Sequence, residues 1–138
     1  MRDYLINLFN YDQWANEKWI TFMDSAQTSP EAWNVFDHIL RAHTSWFSAI
    51  SSDPLDEITD RLQNNEYLSA RWQNLMKISD PTAFVSITGR DGNSTFMSVE
   101  QIASHVINHG TYHRGQLREI FKDQPEFPET DLIKFYRR

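Results

Sequence analysis

At 138 residues with no cysteine, the chain reads as a single domain, residues 1–138, long enough to enclose a hydrophobic core without disulfides. Zinc held by thiolate, cysteine nucleophiles and thiol redox chemistry on the protein itself are thereby excluded, and a net charge of -6 with no stripe of Lys and Arg argues against a nucleic-acid partner. A small molecule is the expected partner, and with no secretory or bilayer-length apolar run the expected location is the cytoplasm.

Apolar Tyr4, Leu8, Tyr11, Ala15 and Trp19 recur every three or four residues and predict a first helix from about 3 to 26, ended by Thr28, Ser29 and Pro30. A second, from about 31 to 51, carries Phe36, Ile39, Leu40, His43, Phe47 and Ile50 on one stripe, with Val35, Ala42, Trp46 and Ala49 beside it. So wide an apolar surface predicts burial from two sides. Ser52-Asp53-Pro54 breaks the pattern, and Ile58, Leu62, Asn65, Leu68, Trp72 and Leu75 predict a third helix from about 56 to 78, with Asn65 as a polar interruption.

The alternating Phe84-Val85-Ser86-Ile87-Thr88, the turn-rich 89–93 and Thr95-Phe96-Met97 predict a small hairpin. Ser98 and Gln101 form a capping box that opens a fourth helix from about 99 to 122, with an apolar stripe of Ile102, Val106, Leu117 and Ile120. Pro125 and Pro128 end it, and Asp131 to Arg138 form a last turn against the helices. The prediction is an all-α, antiparallel four-helix bundle with a small β-hairpin before the fourth helix.

Within the fourth helix His105, His109 and His113 stand four residues apart. They and Gln116 fall within about 40° of the stripe centre at 100° per residue, which predicts imidazoles facing the core. Burying several imidazoles is costly unless their nitrogens are paired, and one metal ion pairs several at once. His105 and His113 lie about 12 Å apart along the axis, too far for one ion. The helix therefore supplies His105 with His109, or His109 with His113, and another helix must contribute. The candidates are His38 and His43, and periodicity favours His43. Three histidines without thiolate suit zinc, nickel, copper or iron(II) and leave positions open for water or substrate.

Several stretches together resemble the DinB-like (DinB/YfiT-like) metalloenzyme family over nearly the full length: Tyr11-Asp12-Gln13-Trp14-Ala15-Asn16, His38-Ile39-Leu40 with Trp46, the hairpin, His109-Gly110-Thr111-Tyr112-His113-Arg114-Gly115-Gln116, and Asp131-Leu132-Ile133-Lys134-Phe135-Tyr136. The specific part is His113-Arg114-Gly115-Gln116. The resemblance implies a four-helix bundle, commonly a homodimer, with a divalent metal, usually zinc or nickel, on three histidines. Carried onto this chain those ligands are His38, His109 and His113, which leaves His105 as a core neighbour. His43 departs from the family pattern, in which many members carry an acidic residue there.

Around these residues, Tyr112 and Arg114 point away from the stripe and are assigned to helix packing or an interface. Gln116 is placed to hold an imidazole in one tautomer. Gly110 and Gly115 each lower helix propensity by about 1 kcal/mol relative to alanine, which predicts close approach of another backbone. Trp46 is assigned to packing. No hydrolytic triad or phosphate loop is present, and no catalytic base stands out. The activity the resemblance implies is transfer of a low-molecular-weight thiol to a small electrophile, or a thiol-dependent isomerisation. The rivals are a metal-dependent hydrolase using bound water and a non-catalytic metal-binding stress-response bundle.

Overall fold

A computed structural model describes all of residues 1–138. It is mostly helical with one two-stranded antiparallel sheet, in the order α1 (Arg2–Ser25), α2 (Pro30–Ile50), α3 (Arg61–Ile78), β1 (Phe84–Thr88), β2 (Ser94–Ser98), α4 (Val99–Ile120) and α5 (Leu132–Tyr136). Helix starts follow local chemistry. Ser29 accepts the Ala32 N–H at 3.2 Å with Pro30 in the first turn, and Ser98 and Gln101 form the expected capping box.

The third helix starts later than its apolar spacing suggested. Asp60 caps it by accepting the Gln63 N–H at 2.9 Å, so residues 56–60 stay outside the helix. The preceding stretch is strapped onto α3, with the Tyr67 hydroxyl accepting the Asp56 N–H at 2.9 Å and Arg71 donating to the Pro54 carbonyl at 3.2 Å.

That longer connection sets the helix directions. Arg61 at the start of α3 pairs with Asp37 at 2.7 and 3.0 Å and lies over Trp33, both near the start of α2, while Phe47 and Trp72 meet edge to face near the two ends. Helices α2 and α3 therefore run parallel, contrary to an arrangement in which every successive helix reverses. A ten-residue extended segment reaches roughly 33 Å, enough to return along the 21-residue α2, about 31 Å long. Helix α1 runs antiparallel to α3, its Arg2 donating to the Met76 and Ser79 carbonyls near the far end, and α2 runs antiparallel to α4.

The apolar core lies in two large clusters and a small third one of Tyr11, Ala15 and Phe135. One large cluster gathers Leu5, Phe9, Phe47, Trp72, Met76, Ile102 and Val106; the other gathers Trp19, Ile20, Met23, Phe36, Ile39, Leu68 and Leu117. Along α1, α2 and α4 a polar layer separates them: Asp12 and Asn16, His43, and Arg114, all nearly inaccessible. The buried face of α1 keeps Tyr11, Ala15 and Trp19 of the expected stripe but extends to one side of it, since Leu5, Phe9, Asp12, Asn16 and Ile20 are also buried while Tyr4 is half exposed. The hairpin packs Val85, Ile87 and Met97 against the first cluster, and its loop turns at Gly92, whose φ of 81° favours glycine. The C-terminal turn is present as α5, with Phe135 buried against Tyr11.

Candidate metal centre

His38 comes from α2 and His109 and His113 from α4, where the two helices pack antiparallel. Their Nε2 atoms converge: His109 lies 3.1 Å from His38 and 3.0 Å from His113. Two nitrogens bound to one ion at about 2.05 Å stand roughly 2.9 Å apart at an octahedral angle and 3.3 Å at a tetrahedral one. The two separations made by His109 fall between these limits, and all three ligand atoms lie within 4.8 Å of one another. These are the three residues that the family resemblance selects, and they form the only such group of potential metal-binding side chains.

Hydrogen bonding favours a cation among them. His113 Nδ1–H donates to Gln116 Oε1 at 2.6 Å, the role expected of Gln116, which leaves the His113 Nε2 lone pair directed at its neighbours. A proton on His109 Nε2 satisfies only one of its two nitrogen contacts at a time, whereas a divalent ion satisfies all three nitrogens. Burial, then the neighbouring His113, His38, His105 and His43, push the His109 pKa down to about 4. Burial, then His113 and Arg41, lower that of His38. Both are therefore neutral at pH 7, the form that binds metal.

Two expectations about the neighbouring histidines are corrected. Periodicity favoured His43 as the ligand from α2, but its ring is buried away from the cluster, with Nδ1 against the Ile39 carbonyl at 2.9 Å and Nε2 against Asp12 Oδ2 at 2.7 Å. Nor do the histidines of α4 face the core. The buried stripe includes Ala103, Ile107, Gly110 and Arg114, which rotates it away from His105, while Ile120 is exposed. His109 and His113 sit at the half-exposed edge facing α2, and His105 is exposed beside Trp46, the ring centroids 5.2 Å apart.

Arg114 was expected to point outward, yet it is 3 % exposed at the centre of the polar layer. Its Nη1 donates to Asp12 Oδ1 at 2.8 Å and Asn16 Oδ1 at 2.7 Å, and its Nη2 to Thr111 Oγ1 at 3.3 Å. Asn16 continues the layer to Asn65 at 3.1 Å, so the polar interruption in α3 is a hydrogen-bonded member of it. Gly110 makes room for this arrangement: a Cβ there would stand 2.6 Å from Asp12 Oδ1 and 3.0 Å from Arg114 Nη1. The close approach is thus by side chains rather than by another backbone. At Gly115 no close approach exists, because an added Cβ would meet nothing within 4 Å.

The DinB family model matches residues 1–123 of this sequence. The chain belongs to the DinB family. It is similar to Protein DinB of Bacillus subtilis (strain 168), with 23% identity over 152 aligned positions that cover 88% of this chain and 87% of that protein. No solved structure matches it. Two further features of this DinB-family chain follow its sequence: no helix is long and apolar enough to cross a membrane, and the exposed Tyr112 ring lies against His113 with centroids 5.1 Å apart.

The histidines of the two sites titrate with opposite consequences for stability. Burial pushes the His43 pKa down, but the Asp12 carboxylate and the Ile39 carbonyl outweigh it, so the value is raised. A raised folded pKa contributes stability that is complete below about 6.5 and is lost as pH rises through the folded value. The lowered values of His109 and His38 act in the other direction, removing stability from metal-free protein as pH falls below about 6.5, in the case of His109 down to about 4. Thermal unfolding of metal-free protein should therefore show greatest stability near neutral pH. His43→Gln should flatten the decline above pH 7 and leave the acid limb in place, and an unchanged alkaline limb in that variant would refute the assignment.

Proposed function

We propose that this DinB-family protein is a metal-dependent enzyme that transfers a low-molecular-weight thiol to a small electrophile, or isomerises a substrate with thiol assistance. The reading takes the four long helices as a four-helix bundle in one domain, residues 1–138, present in the cytoplasm as a homodimer. The observation that carries it is the convergence of three Nε2 atoms from two helices at separations of 3.0 and 3.1 Å. His38, His109 and His113 would hold zinc or nickel. Bound there, the ion supplies Lewis acidity that brings proton loss from a thiol or a water toward neutral pH.

The chain's own residues do the rest of the work of positioning. Gln116 fixes His113 in the tautomer that directs Nε2 inward. His38 is exposed and its two partners half buried, so the cluster opens to solvent on one side, where a reactant can approach. Trp46 and His105 stand together beside His109 and form an aromatic flank to that opening. In the transfer, a bond forms between the thiol sulfur and an electrophilic carbon, the thiol proton is released, and the leaving group departs with its electron pair.

Three histidines rather than a closed set of four ligands favour catalysis over a structural ion, and the same open side gives the hydrolase reading its support. Protein stripped of metal and then reloaded with zinc or nickel should be assayed against a panel of electrophiles with and without added thiols. Turnover restored by metal and dependent on thiol is the expected result. Metal-dependent turnover without thiol assigns a hydrolase instead, and equal turnover in fully metal-free protein would sink both.

A further inference from the structure

On the other side of α4 from the histidines, a cleft of about 460 Å³ opens between α1, α4 and the chain from Pro128 to Leu132. This volume suits a small organic ligand. None of the three histidines lines it, and Thr111, which does, points about 160° away from His109 around the helix. Leu8 and Ile107 supply its apolar surface. Its far wall is pinned to α1 by two hydrogen bonds, Tyr11 Oη–H to the Thr130 carbonyl at 2.6 Å and Trp19 Nε1–H to Thr130 Oγ1 at 3.1 Å. That wall lies past residues 1–123, the part that matches the family model.

One polar group behind the wall of this cleft lacks a partner. Arg114 lines it, and although both terminal nitrogens are engaged, its Nε is buried with no hydrogen bond. The polar layer behind it also carries excess positive charge. Both ring nitrogens of His43 face oxygen acceptors, as an imidazolium requires, so Asp12 stands between two cations with one negative charge. At the mouth, Arg118 and Glu129 are 3.8 Å apart, and Glu129 and Asp131 make the far wall acidic.

We propose that this cleft is a second binding site, separate from the histidine centre, for a small monocarboxylate with an apolar body. The carboxylate lies toward Arg114, where its negative charge balances the excess behind the wall. The apolar body rests on Leu8, Ile107 and Leu132, and the acids of the far wall select against a second negative charge. Gly115 also lines the cleft with open space over its Cα, so a larger side chain there occupies the ligand's volume without displacing a neighbour.

The probe pair is 3-phenylpropionate and its uncharged amide, titrated into intact protein while the methyl resonances of Leu8, Ile107 and Leu132 are followed by NMR. The acid should bind saturably, the amide at least tenfold more weakly. Gly115→Leu should abolish the shifts while retaining a cooperative melt, and His109→Ala should leave them unchanged. If Gly115→Leu fails to fold, Leu132→Trp fills the cleft from the opposite wall. Equal binding of acid and amide overturns the proposal, as does binding that survives both filled variants or disappears with His109→Ala. Absence of binding does so too, and dissociation of a dimer by Gly115→Leu would then identify a second copy of the chain as the occupant.

Discussion

Asp12→Ala should lower the free energy of unfolding by about 3–5 kcal/mol, the range for removing one partner of a buried ion pair. Asp12 is the only carboxylate of the polar layer and serves two cations, His43 at 2.7 Å and Arg114 at 2.8 Å. Burial alone would raise its pKa, but His43 and then Arg114 outweigh that and hold it below the usual carboxylate range. Its removal leaves the Arg114 guanidinium without a counter-charge in a buried layer and removes the partner that keeps His43 protonated. Against a total stability of about 5–15 kcal/mol, such a loss brings the protein near its unfolding threshold at moderate temperature. Urea denaturation at pH 6 measures it, with an unchanged dependence on denaturant indicating that the unfolded state is the same. A loss below about 1 kcal/mol would mean that the layer rearranges or admits solvent.

His109→Ala should have the opposite profile, leaving stability nearly intact and weakening zinc or nickel binding by more than about 100-fold, beyond the 10- to 100-fold typical of losing a supporting hydrogen bond to a ligand. His109 is central to the cluster, its Nε2 within 3.1 Å of both other ligand nitrogens, so its loss leaves His38 and His113 without their shared neighbour. His105→Ala is the control, since that ring stands beside Trp46 outside the group, and its affinity should match that of the unaltered chain. Gln116→Leu should fall between them, because it frees His113 to adopt the other tautomer. Competition with a chromophoric chelator ranks all four proteins. Equal affinities for His109→Ala and His105→Ala would remove the case for a metal centre.

Much of the helical content was legible because capping and turn chemistry is local. Ser29, Ser98 with Gln101, and Gly92 each act through residues within a few positions of themselves. The polar layer was harder to read. Asp12 and Asn16 lie four residues apart on the same face of α1 as Phe9 and Trp19, a polar pair on an apolar stripe, but their partners are dozens of residues away. A stripe drawn through Tyr4, Leu8 and Tyr11 passes to one side of that pair.

The histidines illustrate the same limit. Spacing on α4 restricted it to one of two pairs, because that geometry is local. Choosing between His38 and His43 required the rotation of α2 against α4, which periodicity on so broadly apolar a helix does not fix. The path of the chain was obscured by Asp60. An acidic residue among Ile58 and Leu62 is compatible with a continuing helix, and only its bond to the Gln63 N–H ends the connection there.

That crossing connection also orders the events of folding. Helix α1 finds its main neighbours in α3 and α4 rather than in α2, the helix that follows it in sequence. Its Arg2 waits for carbonyls more than 70 residues away, and Asp12 for a guanidinium 102 residues away. During synthesis, then, the first helix leaves the ribosome without its packing partners; α3 covers it first, and the face toward α4 stays open until that helix has emerged. Early contacts come from α1 with α3, the most extensive helix pair, and α2 waits for α4, its main neighbour. Such dependence on distant contacts slows folding and makes chains truncated before α4 prone to aggregate.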